Sequence, residues 1–420
     1  DVFSISMNNL TSYFDPHSSY FSPKSAEDFE MAMSLKLEGI GALLTTEDDY
    51  PTIVSVVPGG PAEKTGKINP DDKIVKISQV EELNSTPTDV VGWRIDEVVQ
   101  LIRGKAGTKV ELELIPGKTE DFSERKLVTI TREEVKLEEQ AAKSRIVEIQ
   151  RNLQTIKVGI IDLPTFYIDF KAWRNREPDY RSSSKDVETI LRKFTDQSVD
   201  AVLIDLRGNS GGSLYEANKL TGLFVSAGAT LQVKESDGSI KPWGDIRAKQ
   251  VWKKPLAVLV DRYSASASEI FAGAMQDNDR GLIVGRRSFG KGLVQDEFEV
   301  PIEGALRLTV ARFYTPSGRA IQKPYGEGVD YSNDNEQRYE SGELFFEDSI
   351  QVGDTVAFKT TLGRSVFGGG GISPDIFVPL DSSSSYRALS ELVWTGALRD
   401  GAFTWVDDNR VDLSEMISFV

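Results

Sequence analysis

From Val158 onward, apolar runs of strand length alternate with helical patterns, which restricts this part of the chain to a central, largely parallel sheet with helices on its faces. VGIIDLPTFY reads as a strand and SSSKDVETILRKFTDQ as a helix with Ser184 as its cap. VDAVLIDLRGNSGGS is a buried strand running into a glycine loop, and SLYEANKLTGLF a helix. PLAVLVDRYSAS is a second buried strand, ASEIFAGAMQDN the next helix and GLIVG a further strand. LRLTVARFYTP predicts one more strand before Thr315-Pro316-Ser317-Gly318 turns the chain. Residues 323–363 read as irregular, polar and acidic; beyond them come GGGGISPDIFVP and a helix-rich tail.

The first third has another period. Residues 1–35 read as a polar and aromatic lead-in, with DPHSSYFSP as a loop and a helix over about Lys24–Met33. GIGALLTT, PTIVSVV, DKIVKIS and KVELELI are short β-rich runs separated by turn residues, and KLVTITREEV supplies a last strand. Between them Ile95, Val98, Val99 and Ile102 fall at helical spacing. Residues 36–135 therefore predict a small, partly open β-barrel with a helix near one edge. Residues 136–156 are charged and read as a link to the second half. The expected organisation is 1–35 lead-in, 36–135 barrel, 136–400 α/β core with its cap, and 401–420 tail.

Scarce residues narrow the chemistry. The 420-residue chain has no cysteine, which excludes disulfides, a thiolate nucleophile and Cys-based zinc sites. Its one histidine, His17, sits in the DPHSS loop far from any triad-like partner and reads as structural. A formal net charge of −16 disfavours nucleic acid as a partner. No apolar run reaches the roughly 18 residues of a membrane span. The opening DVFSISMNNL reads as the interior of a longer protein, without a signal peptide.

Within DRYSASASEIFAGAMQDNDRGLIVGRRSFGKGLVQ, Ser266 and Glu269 fit a capping box, which places Ser266 where unpaired backbone N–H groups point outward. Lys291 lies among glycines and apolar residues 25 positions later, and Gln295 is spaced to share its face. A serine needs a base, and a lysine serves as one when desolvation lowers its pKa. The Ala267 N–H and the RGNSGG loop, with Gly211 and Gly212, are candidate oxyanion donors. Taken singly, Ser266 is a helix cap, Lys291 a turn lysine and RGNSGG a strand-to-helix turn; Asp277 reads as structural. Their combination favours a Ser–Lys nucleophile. Gly285 to Lys291 also matches GxxxxGK, but Gly292 stands where a phosphate loop needs Ser or Thr, and a strand pattern comes next.

The barrel resembles a PDZ domain, on GIGALL, VVPGGPAEKTGKINPDDKIVKI and WRIDEVVQLIRGKAGTKVELEL. That resemblance implies a peptide groove formed by Gly39, Ile40, Gly41, Ala42 and Leu43 with the helix around Val98, to which a peptide adds as a strand. SASASEIFAGAMQD, FGKGLVQ, LIDLRGNSGG and DPHSSYFSP resemble the C-terminal processing, or tail-specific, serine proteases of peptidase family S41. From RRSFGKGLVQ onward the chain is more similar to that family's members in Bacteroidetes-type bacteria than to the enterobacterial ones.

The resemblance implies a protease core of the ClpP/crotonase type, with Ser266 as nucleophile, Lys291 as base and Gln295 orienting it. Gly211 or Gly212 and Ala267 match the oxyanion positions, and Asp277 an acidic position associated with activity. It further implies protein substrates with unstructured apolar C-termini, an adaptor protein as a further partner, no metal or organic cofactor, and the periplasm or cell envelope. The rival readings are a non-catalytic PDZ scaffold and a nucleotide-binding enzyme.

Overall fold

The computed structural model describes residues 2–80, 86–119, 121–152, 154–226, 228–244, 250–300, 304–351, 356–381, 389, 392–393 and 395–410. The second half is built on a six-stranded sheet ordered Lys143–Arg151, Gln154–Asp162, Ala201–Asp205, Leu256–Val260, Leu282–Gly285, Ile376–Phe377. The first pair is antiparallel and every later pair parallel, as strand–helix alternation requires. Ile204, Val258 and Ile283 from the central strands are fully buried with Leu191, Leu220 and Phe271 from the helices. Burying one such side chain contributes roughly 1.5–3 kcal/mol, so this cluster fixes the sheet that carries the site.

A second sheet runs Ser19–Phe21, Gly304–Tyr314, Leu231–Lys234, Ile240–Trp243, with Leu293–Val300 on the other edge of the long strand. Through it the N-terminal lead-in reaches the second half: Ser19, Tyr20 and Phe21 pair with Arg307, Leu306 and Ala305.

The expected β unit is present as six antiparallel strands, Ala42–Glu47, Tyr50–Val56, Lys73–Gln79, Lys109–Ile115 and Lys126–Thr131 in spatial order with the short Thr88–Asp89 paired to Lys73–Gln79, and the helix Ile95–Ile102 packs against Ala42–Glu47. Arg132 caps that helix, donating to the carbonyls of Leu101 at 3.0 Å and Ile102 at 2.8 Å.

Several expectations change. KLVTITREEV is two strands; Glu133–Lys136 leaves the barrel and pairs with Lys36–Gly39. The charged link contains the nine-residue strand Lys143–Arg151, hairpinned onto Gln154–Asp162. All nine residues are exposed, Ile146, Val147 and Ile149 among them, so the strand has no buried face alternating with a wet one. The lead-in contains a helix, Val2–Ser12, ahead of the expected one, which spans Pro23–Ser34. The helix Ser183–Asp196 takes Ser182, not Ser184, as its N-cap. Glu216, from the helix Leu214–Gly222, accepts from Ser184 N–H at 2.7 Å and Ser183 Oγ at 3.0 Å. A carboxylate from another helix thus takes the role assigned to a local serine.

Candidate active site

Three loops meet at the carboxyl ends of adjacent parallel strands, where open α/β sheets present their sites. Residues 206–213 come after Ala201–Asp205, residues 261–266 after Leu256–Val260, and residues 286–292 after Leu282–Gly285.

The 261–266 turn delivers three serines with different fates. Ser264 is fully buried and donates to the Leu206 carbonyl at 2.8 Å. Ser268 is fully buried and donates to the Asn209 carbonyl at 2.9 Å. Ser266 is partly exposed, and its hydroxyl donates to no described residue. It precedes the helix Ala267–Asp277 with φ 54° and ψ −112°, dihedrals an L-residue rarely adopts and a recurrent mark of functional sites. The expected capping box of Ser266 and Glu269 is present, the Glu269 carboxylate accepting from Ser266 N–H at 2.9 Å.

The RGNSGG loop is stitched beneath this turn by Asn209. Its side chain donates to the Leu163 carbonyl at 2.8 Å and accepts from Gly211 N–H at 2.9 Å, while its own carbonyl accepts from Ala265 N–H at 3.0 Å. Gly211 lies directly against the serine: a Cβ there would fall 2.9 Å from Ser266 Cβ and 3.2 Å from Ala267 N. The two glycines therefore divide their roles. The Gly211 N–H is already engaged, so this residue supplies open space, a correction to its expected role as a donor. The N–H groups of Gly212 and Ala267 have no acceptor among the described residues.

Lys291 Nζ donates to Gln295 Oε1 at 2.8 Å. Burial, helped by the positive charge of Arg307, holds the Lys291 pKa down to about 8. The Arg307 guanidinium lies over the rings of Phe21 and Phe29, 4.3 and 4.1 Å from their centroids. Among the described residues no hydrogen bond joins Ser266 Oγ to Lys291 Nζ. Their backbones are joined by Glu269, whose fully buried carboxylate accepts from Ser266, Gly290 and Lys291 N–H and from Ser288 Oγ, at 2.5–2.9 Å. Burial raises the Glu269 pKa, and those four donors oppose the rise.

Asp277 ends the helix Ala267–Asp277 at the end away from these loops. It pairs with Arg319 at 2.8 Å, both side chains 1% exposed, and accepts from Ser317 N–H at 2.9 Å. His17, expected to be remote, lies beside the lysine: its backbone carbonyl accepts from Gln295 Nε2 at 2.7 Å. Its ring pKa falls to about 4, from burial first and then the Lys291 charge, so the ring is neutral. The contact links residues 278 positions apart, and no local pattern could have revealed it. Lys291 leads into the strand Leu293–Val300, not into the helix that a phosphate loop opens.

In the first domain, the N–H groups of Ile40 and Gly41 have no acceptor among the described residues, Gly41 turns at φ +71°, and Leu43 is exposed. Val98 is fully buried in the domain's core, so it offers no surface to a peptide, contrary to expectation. Ile95, Val99 and Leu101, partly exposed on the same helix, are the apolar side chains left for that role.

Residues 157–331 match Peptidase family S41 and residues 28–115 match the PDZ domain. The chain is 39% identical over 331 residues to a tail-specific protease of Haemophilus influenzae, covering 77% of this chain and 44% of that one. It is 30% identical over 315 residues to the carboxy-terminal processing protease CtpA of Bacillus subtilis, covering 75% and 60%. The chain thus spans about half the length of these relatives. Among solved structures, a photosystem II D1 C-terminal processing protease aligns with a TM-score of 0.44 at 24% identity, over 89% of this chain and 80% of that one.

Proposed function

We propose that this chain, whose residues 157–331 match peptidase family S41 and residues 28–115 the PDZ domain, is a serine endopeptidase that holds the unstructured, apolar C-terminus of a protein in its PDZ groove and hydrolyses peptide bonds through Ser266 and Lys291. The observation that carries this is the sorting of the three serines. Ser264 and Ser268 are buried with their hydroxyls donated to carbonyls, whereas Ser266 is partly exposed, strained and donates its hydroxyl to no described residue.

Ser266 Oγ attacks the scissile carbonyl as Lys291 Nζ takes its proton; the ammonium then returns that proton to the leaving amine, and water hydrolyses the acyl-enzyme. At pH 7 a lysine with its pKa near 8 is neutral in about one molecule in ten, roughly 300-fold more often than at the ordinary value of 10.5. Gln295 Oε1 holds the amine, and the Ala267 and Gly212 N–H groups, without acceptors among the described residues, are the donors left for the developing oxyanion. The Ser266 Oγ–Lys291 Nζ hydrogen bond forms when substrate excludes water. Asp277 acts structurally, through Arg319. The Ile40 and Gly41 N–H groups would receive the substrate's terminal carboxylate, and the strand Ala42–Glu47 its backbone. The family resemblance further supports an adaptor protein as a partner and the periplasm or cell envelope as the site of action.

The test is cleavage of an unfolded reporter ending in apolar residues, with a free or an amidated C-terminus. The free tail is expected to bind and be cut, and the amidated one to bind and be cut poorly. Equal cleavage of both would sink the tail-recognition half. Binding without cleavage would favour a scaffold.

A further inference from the structure

Gln295 is held at both ends. Its Oε1 accepts from Lys291 Nζ at 2.8 Å, and its Nε2 donates to the His17 carbonyl at 2.7 Å. A carbonyl only accepts, so the His17 contact decides which end of the amide faces the lysine. That choice matters for a base. A neutral amine has two N–H bonds and one lone pair; when Oε1 takes an N–H, the lone pair points elsewhere. A reversed amide would donate into the lone pair and neutralise the base.

We propose that the segment Asp15–Ser19 is a positioning element of the active site, its His17 carbonyl locking the Gln295 amide so that the Lys291 lone pair stays free for the Ser266 proton. This rests on the reading of Lys291 as the base.

The segment is fastened for that task. Asp15 Oδ1 accepts from His17 N–H at 2.9 Å, Ser18 N–H at 3.1 Å and Thr309 Oγ1 at 3.0 Å. Asp15 Oδ2 takes the Ser18 hydroxyl, and Ser18 Oγ accepts from Thr309 N–H at 3.2 Å. Thr309 is the residue opposite Gln295 in the strand pair, where a bulge between Val294 and Gln295 resets the register. The His17 ring is tied down on its far side by the Tyr331 hydroxyl at 2.6 Å and lies edge-on to Phe289 and Tyr331. Loop, strand and amide therefore form one connected unit, with Asp15 organising the carbonyl that Gln295 needs.

The experiment compares Asp15→Ala, Thr309→Val and Thr309→Ser in the full chain by steady-state cleavage of an apolar-tailed reporter. Thermal unfolding and tail affinity serve as controls, and Lys291→Ala runs alongside. Asp15→Ala and Thr309→Val are expected to lower kcat on the order of 10- to 100-fold with KM within about twofold, since small misplacements of a base carry losses of that size. Thr309→Ser, which keeps the hydroxyl, should restore kcat. Wild-type kcat in folded Asp15→Ala, or a loss confined to KM, overturns the proposal. If Asp15→Ala does not fold, the valine–serine pair at 309 decides by the same criterion. Activity in Lys291→Ala would instead overturn the base assignment itself, so the two failures are distinct.

Discussion

Ser266 and Lys291 are held by the same oxygen: Glu269 Oε2 accepts from Ser266 N–H at 2.9 Å and from Lys291 N–H at 2.8 Å. The Ser266 turn and the Lys291 loop extend from different strands, and this carboxylate ties them together. Glu269→Gln presents an amide NH₂ to backbone donors, leaving buried groups unsatisfied at a cost of about 1–3 kcal/mol. The expected result is a lower unfolding temperature together with a fall in kcat of about tenfold or more, read by calorimetry and steady-state kinetics. Unchanged kcat would remove Glu269 from the account.

Activity should rise with pH along a limb near 8, because Lys291 acts only when neutral. The same shift has a stability signature. The folded state holds this pKa at about 8 and the unfolded state at 10.5, so the cost of burying the ammonium is complete below pH 8 and fades as pH rises toward 10.5. Lys291→Met should therefore be inactive yet melt higher than wild type at pH 7, with the gap shrinking near pH 10. A gap that does not change with pH would contradict the buried-lysine reading.

The strained Ser266 backbone is offset by contacts elsewhere in the fold. Strain of this kind costs of order 1–3 kcal/mol, and glycine relieves it. Ser266→Gly should be inactive but more stable than Ser266→Ala by about 1 kcal/mol in denaturant unfolding. Equal stability would mean that the turn is unstrained.

Asp277 and Arg319 pin the Thr315–Arg319 turn to the end of the nucleophile's helix. Removing one member of a buried pair leaves an unpaired charge and costs about 3–5 kcal/mol. Asp277→Ala should lower stability by that amount, and its activity at low temperature should track the folded fraction. Combining Asp277→Leu with Arg319→Met should recover much of the stability. A stable, folded but inactive Asp277→Ala would instead place Asp277 in the chemistry.

Much of this was legible in the sequence because its cause is local. Buried strands and helices announce themselves by period, so the parallel sheet and the positions of Ser266, Lys291 and Gln295 could be read from it. Signals were lost where the cause is tertiary or the surface is uniformly wet. The strand Lys143–Arg151 has no buried face, and Val98 looks the same whether a helix turns it to a groove or to the core. The spent N–H of Gly211 depends on Asn209 folding back, and the role of His17 on a contact across the whole chain.

The most direct test is the cleavage rate of an unfolded, apolar-tailed reporter by wild type, Ser264→Ala, Ser266→Ala and Ser268→Ala, each confirmed folded. The account predicts loss of cleavage in Ser266→Ala with the tail still bound, and retained chemistry in the other two, reduced only as far as their lost buried hydrogen bonds loosen the turn. Wild-type cleavage by Ser266→Ala, or its abolition only in Ser264→Ala or Ser268→Ala, would contradict it.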